Sequence, residues 1–403
     1  MYDSYQAFAD LSGPMRAIAA DAERILSRWD CGLLTDPLQR MAGFCELLAL
    51  CGFTHTRPEF DIPAIETGSH PVFVEQDTVV TTPFCRLERF RKAASENEPK
   101  ILLIAPMSGH FATLLRGTIR TLVRDHEVHV TDWHNARDIP LSAGAFGLEE
   151  FVQHVIDFIR HLGPRSHVVA VCQPTVAALA AVALMAEDKD PDQPASLTLM
   201  AGPIDTRVAP TPVNDLANEH TIEWFRDNLV EVVPARLPGG GRHVYPGYLQ
   251  LAAFMSMNVD RHAKSFGDMF AHRMKGEFEK ARAIRSFYEE YFAIMDLSAD
   301  FYLQTVKSIF QDCELPRGKM RFRERAVSPR AIKNTFLFTI EGEKDDICAV
   351  GQTLAAQDLC SGLRPYMKSH HMQTGVGHYG VFNGRRWESQ VYPLLRHHIR
   401  SSA

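Results

Sequence analysis

Three observations predict an α/β fold for this chain, a mostly parallel sheet with helices on both faces and one helical insertion. Short apolar runs alternate with helical stretches between residues 101 and 200. The alternation stops near Gly202, gives way to a helix-like and aromatic-rich stretch, and resumes at Thr335. The longest apolar stretch, from Val168 to Met185, approaches the length of a membrane span, but Cys172, Gln173, Pro174 and Thr175 interrupt it. A buried strand turning sharply into a buried helix accounts for that break.

Taken in order, residues 1–60 read as helical, because Met15, Ile18, Ile25, Leu38, Met41 and Leu47 fall at helical spacings. Residues 72–91 hold two extended, β-rich runs punctuated by Pro71 and Pro83. Then come a strand at Ile101–Ala105, an amphipathic helix at Thr113–Arg124, a strand at Val128–Thr131 and a helix at Leu148–His161. A strand at His167–Val171, a helix at Pro174–Ala186 and a strand at Ala195–Met200 complete this run of βαβ units. From Asp205 to Arg325 the chain reads as helical and carries Trp224, Tyr245, Phe254, Phe287 and Tyr291, with a break at Gly239, Gly240 and Gly241. A strand at Thr335–Ile340, a helix after Asp346 and a closing helix at Trp387–His398 follow. A parallel sheet split by a helical insertion after its sixth strand is the arrangement of a capped α/β-hydrolase. The expected division is an N-terminal helical segment at 1–60, core at 61–204, a helical cap at 205–325 and the rest of the core at 326–403.

Composition narrows the function. With 45% hydrophobic residues, 23% charged residues and a formal net charge of −6, the chain is neither wholly disordered nor an electrostatic nucleic-acid binder. The start, Met1 to Ala7, lacks the basic and apolar regions of a secretory leader. The eight cysteines (Cys31, Cys45, Cys51, Cys85, Cys172, Cys313, Cys348 and Cys360) form no C-x-x-C pair, which favours free thiols in a reducing cytoplasm over a metal ribbon or redox motif.

The chemistry concentrates at the break after Val171. A side chain on a tight strand-to-helix turn is lifted from the sheet and faces a helix N-terminus. Here that side chain is Cys172, with compact Ala170 and Pro174 two residues to either side, a departure from the G-x-S-x-G pattern. A thiol needs little help to act as a nucleophile, and a helix N-terminus and a nearby imidazole both favour its thiolate. In this fold an acid and then a histidine follow the nucleophile along the chain. Asp345 lies just beyond the strand at Thr335–Ile340, and adjacent Asp346 is its alternative, equally able to cap a following helix. The base is His378, set among Gly375, Gly377 and Gly380 just before the last helix, whereas the pairs His370–His371 and His397–His398 read as solvated. The oxyanion site calls for two backbone amides, that of Gln173 and one in the loop Pro106–His110, where Ser108 leads and Met107 is next. His110 fits a loop-gating or substrate-contact role.

The matching stretches Pro83–Leu87, Ala105–Arg116, Val128–Trp133, Val171–Thr175, Ala201–Asp205, Arg242–Tyr248, Glu341–Ile347 and Gly377–Trp387 resemble the intracellular polyhydroxyalkanoate (polyhydroxybutyrate) depolymerases. Cys172, Asp345 and His378 fall on that family's motifs. The resemblance implies cleavage of poly-3-hydroxybutyrate in cytoplasmic storage granules by a Cys-His-Asp triad, through a thioester acyl-enzyme. It implies release of hydroxybutyrate oligomers and monomer, with no metal or organic cofactor. The expected partner is the granule's polyester, with neither nucleic acid nor a transmembrane segment. Three rival readings stand beside it: an acyltransferase with the same triad, a thiolytic enzyme using CoA in place of water, and a non-catalytic granule-coating protein.

Overall fold

A computed structural model of the protein describes residues 1–28, 35–50, 52–67, 70–93, 97–257 and 259–402. Cys31 and Cys51 lie outside the described residues, and the other six cysteines are free thiols.

The central sheet is built from β1 (Ala64–Thr67), β2 (His70–Thr81), β3 (Cys85–Lys92), β4 (Lys100–Ile104), β5 (Glu127–Trp133), β6 (His167–Val171), β7 (Ser196–Met200), β8 (Phe336–Gly342) and β9 (Lys368–Gln373). Their order across the sheet is β1-β2-β3-β5-β4-β6-β7-β8-β9. From β5 onward all pairs are parallel, while β1, β2 and β3 run antiparallel to their neighbours. This order, with crossover helices on both faces, is the α/β-hydrolase topology.

Strands buried on both faces must be apolar throughout, and alternation then decides which layer each side chain joins. Leu102, Ile104, Val168, Ala170, Leu197 and Leu199 pack into one layer with α4 (Leu148–Leu162) and α5 (Thr175–Glu187). Ile101, Leu103, Val169, Val171 and Met200 pack into the opposite layer with α3 (Arg116–Leu122) and the last helix, Tyr392–Ser402. The helix α5 is buried from Thr175 to Met185, which is why its sequence shows no polar face.

Several elements differ from those the sequence predicts. The insertion follows the seventh strand, because Ala64–Thr67 adds a strand ahead of the two expected there. The chain after Asp346 forms turns and a helix of only four residues, Ala356–Leu359. The sheet's last strand, β9, carries His370 and His371, so that pair is strand-borne, and His370 Nδ1 lies 3.0 Å from Thr339 Oγ1. Both members of that pair keep solvent exposure, as does His397; His398 does not: it is buried, its ring is 5.0 Å from that of Phe338, and burial pushes its pKa down to about 4. It shares an inward helical face with Leu395 and Ile399.

Between β7 and β8 lie α6 (Pro212–Glu219), α7 (Ile222–Leu229), α8 (Gly247–Met257), α9 (Val259–Met274), α10 (Phe278–Tyr291) and α11 (Ala299–Thr305). A small three-stranded sheet (Glu231–Val232, His243–Tyr245, Leu297–Ser298) and the hairpin Arg321–Phe322/Arg325–Ala326 interrupt the expected all-helical run. The glycine break has a physical cause. A Cβ at Gly239 would stand 2.6 Å from the Arg137 carbonyl oxygen, so only glycine permits that approach. Buried Arg242 then donates to the carbonyls of Ile139 (2.9 Å), Gly144 (3.0 Å) and Pro140 (2.6 Å), holding the loop after β5 against the insertion.

At the N-terminus α1 (Tyr2–Leu26) and α2 (Thr35–Leu50) pair as a hairpin against α9 and α10. Tyr2 donates to Asp296, which is fully buried and also accepts from the Gly247 amide at 2.8 Å. No helix among the described residues is long and apolar enough to cross a membrane.

Candidate active site

The site begins with one strained residue. Cys172 follows the last residue of β6 with φ of +67°, a left-handed backbone that costs a non-glycine residue about 1–2 kcal/mol. Surrounding bonds hold it there: its amide donates to the Met200 carbonyl (2.8 Å), and its carbonyl accepts from the Thr175 amide (3.2 Å) and hydroxyl (2.9 Å). Pro174 is the residue immediately before α5, one position earlier than its expected place inside the first turn. The turn also needs Gly202 at the end of β7, where a Cβ would stand 1.9 Å from Thr175 Oγ1. The thiol therefore sits half-buried at the carboxyl edge of the sheet, against the N-terminus of a buried helix.

The expected acid and base meet beside it. His378 Nδ1 lies 2.8 Å from Asp345 Oδ2, and both residues are buried. The other carboxylate oxygen of Asp345 accepts from the amides of Ile347 (2.9 Å) and Cys348 (2.8 Å), which fixes its orientation. Asp345 thus makes the contact for which Asp346 was the alternative, and Asp346 is exposed. The sulfur of Cys172 is within hydrogen-bonding reach of the His378 ring. Burial works against a charged imidazole, but the negative charges available at Cys172 and Asp345 outweigh it and hold His378 well above the usual histidine range. A ring gripped through Nδ1 leaves Nε2 for a reacting group.

The loop after β4 lies next to the turn. The Met107 amide donates to Gln173 Oε1 at 3.4 Å, so the carboxamide of Gln173 bridges the turn to this loop. The amides of Gln173 and Ser108 enter no backbone hydrogen bond among the described residues. That bridging role was missed in the sequence; its signal was that a residue after the turn must border the loop from the adjacent β4. Gly109, at φ +86°, places its carbonyl to accept from the Met295 amide at 2.8 Å. His110 is buried in a bridge to Ile294 and beneath the Tyr291 ring (5.1 Å), and burial brings its pKa down to about 4. It fastens the loop to the insertion, in place of the gating or substrate contact expected of it.

Aromatic side chains from the insertion reach the residue beside the histidine. Tyr379, next to the histidine, meets Phe287 of α10 edge-on at 6.2 Å, and Phe287 stacks on Tyr291 at 5.4 Å.

Residues 201–403 match the family model described as PHB de-polymerase C-terminus. No curated protein matches the chain. Among solved structures, a thermophilic esterase from Thermogutta terrifontis is 14% identical, with 81% of this chain and 99% of that one covered and a TM-score of 0.43. A 2-hydroxy-6-oxo-6-phenylhexa-2,4-dienoate hydrolase from a Rhodococcus strain is 14% identical, over 81% and 99% of the two chains, with a TM-score of 0.41. A carboxylesterase structure from Nitrososphaera gargenis is 11% identical, over 85% and 100%, with a TM-score of 0.43.

Proposed function

The chain belongs to the PHB de-polymerase family, and from that premise we propose that it hydrolyses the ester bonds of poly(3-hydroxybutyrate)-type storage polyester, with Cys172 as nucleophile, His378 as general base and acid, and Asp345 as the group that orients the imidazole. The observation that carries this reading is the line of three side chains: a thiol on a left-handed turn at a helix N-terminus, an imidazole within its reach, and a carboxylate 2.8 Å from the far ring nitrogen.

The thiol proton passes to His378 Nε2, and the sulfur adds to the ester carbonyl. The amides of Gln173 and Ser108 receive the oxyanion. Collapse breaks the C–O bond, and His378 returns the proton to the departing hydroxyl end of the polymer. A thioester on Cys172 remains. Water, deprotonated by the same imidazole, adds to it, and the released carboxylic acid leaves the thiol restored. The fixed Asp345 spares the ring a reorientation at each transfer, which is worth several orders of magnitude in comparable triads.

The segment 205–325 acts as a cap whose aromatic side chains meet the apolar polymer, over a core formed by 61–204 and 326–403. The setting that fits is a polyester granule in the cytoplasm.

The test is turnover of amorphous poly(3-hydroxybutyrate) particles. The wild type releases 3-hydroxybutyrate and its oligomers without added CoA, and Cys172→Ala lowers the rate by at least about 10³-fold. A Cys172→Ala protein that degrades particles at the wild-type rate removes the nucleophile from the scheme. A folded wild type with no turnover favours the granule-coating reading.

A further inference from the structure

The N-terminal hairpin packs inward through Tyr5, Leu47 and Leu50. Polar groups also face inward. Tyr2 donates to buried Asp296, Gln6 accepts from Arg137 at 2.8 Å, and Glu23 and Glu46 hold the buried Arg273 guanidinium at 3.1 and 2.9 Å. A second set of apolar groups faces outward. Along α1, Phe8, Leu11, Met15, Ile18 and Ile25 keep a three- and four-residue rhythm and stand 54% to 74% exposed. On α2, Met41, Phe44 and Leu48 add to the exposed face. Ala7, Ser12, Pro14 and Ala22 border the stripe without charge, and Asp21 is paired with Arg24 at 3.1 Å. A helix that has already buried its polar side gains nothing for its own fold from such a stripe, and an apolar patch of this extent marks a contact surface.

The stripe adjoins the insertion, whose aromatic side chains reach the candidate site. Phe8, Met15 and Leu48 line a groove of about 690 Å³ together with Met255, Phe266 and Phe292 of the insertion. From Phe292 a series of ring contacts leads inward: to Tyr291 (6.3 Å), then Phe287 (5.4 Å), then Tyr379 (6.2 Å), whose ring is 5.8 Å from that of His378.

We propose that the outward stripe of α1 and α2 is the surface by which the enzyme seats on solid polyester, with the adjoining groove directed toward Cys172. The proposal rests on the polyester-hydrolase reading above. A neutral, water-insoluble ester polymer is the occupant that matches an apolar stripe whose bordering charges are of both signs, Asp3, Asp10 and Asp21 with Arg24 and Arg40. Nucleic acid and acidic lipid would call for an excess of cations along it, whereas acidic and basic residues are mixed there. A second copy of the chain could cover the stripe, but it would leave the continuity with the cap aromatics without a purpose.

The experiment compares the full chain with the triple variant Leu11→Gln, Met15→Gln, Ile18→Gln, all at exposed positions that tolerate a helix-forming polar residue. Cosedimentation with protein-free amorphous poly(3-hydroxybutyrate) particles is measured in a Cys172→Ala background, so that the polymer is not consumed. Hydrolysis of a soluble short-chain ester is measured with Cys172 present, and mass in solution is measured by light scattering. The expected result is a loss of particle binding on the order of tenfold or more, with soluble-ester turnover and mass unchanged. Unchanged particle binding overturns the proposal. So does a wild-type dimer that the variant converts to monomer while its particle binding persists, because the stripe is then a seam between copies. A wild type that binds particles through the stripe yet hydrolyses no ester supports the surface and defeats the catalytic reading, so the two failures are distinguishable.

Discussion

Cys172 is constrained from two directions, by a left-handed backbone and by the imidazole beside it. His378 is the clearest handle on this arrangement. Its pKa is held well above the usual range, which favours the ring as a proton acceptor. A free thiol is only a few per cent ionised at pH 7, so His378→Gln should slow iodoacetamide alkylation of Cys172 about tenfold or more, read by peptide mass spectrometry. An unchanged rate would detach the two residues. Cys85, Cys313, Cys348 and Cys360 are buried, so Cys172 and half-buried Cys45 are the described thiols open to reagent. Asp345→Asn leaves the carboxamide in place but offers the wrong hydrogen-bond partner to Nδ1. It should lower turnover by roughly 10³–10⁴-fold with little change in KM, measured on a soluble ester.

At the scale of elements, the turn depends on its neighbours. Gly202→Ala would drive a Cβ to within 1.9 Å of Thr175 Oγ1 and 2.4 Å of Thr175 Cβ, displacing the start of α5 and with it Cys172. The expected cost is about 1–3 kcal/mol, seen as a lower melting temperature together with reduced soluble-ester turnover. A variant as stable and active as wild type would show that the turn tolerates movement. The elements nearest the site were the most legible in the sequence. The strands β4, β6, β7 and β8 are buried on both faces and therefore read as plain apolar runs. The edge strand β9, with the sequence Lys-Ser-His-His-Met-Gln, is mostly solvent-facing and carries no apolar alternation to betray it. The strand-to-helix turn at Cys172 was legible as an interruption between two apolar runs. The choice of Asp345 over Asp346 was not, because adjacent carboxylates differ only in which way the backbone turns them. The helical spacing of Met15 and Ile18 predicted helix correctly, yet a periodicity cannot say whether its apolar side faces a core or the outside.

For the whole molecule, buried titratable groups set the response to pH. His110, His129, His167 and His398 are buried, and burial lowers their pKa values to about 4, about 3, about 4 and about 4. A group whose folded pKa is depressed contributes stability above its unfolded value, and that contribution is lost as the pH falls. Each of these rings therefore withdraws about 1.4 kcal/mol per pH unit below the usual 6.5. Buried Asp296, whose pKa is pushed up to about 6, acts in the opposite sense, since its neutral form suits the interior and its contribution disappears as the pH rises through 6. Five imidazoles pushed far down, His55 at about 3 among them, outweigh the raised carboxyls of Asp132, Asp138, Glu290 and Asp296, of which Asp296 alone is pushed far up. The melting temperature should fall steeply between pH 6.5 and 5, and a flat profile by scanning fluorimetry would contradict this balance. The account as a whole turns on a covalent bond to one sulfur, and the most direct measurement is to capture it. Wild-type enzyme is mixed with a 3-hydroxybutyrate oligomer ester, quenched in acid within the first turnover, digested and analysed by mass spectrometry. The account predicts a hydroxybutyryl adduct on the peptide containing Cys172, lost on treatment with hydroxylamine. Steady turnover with that peptide unmodified, or an adduct on another residue, would contradict it.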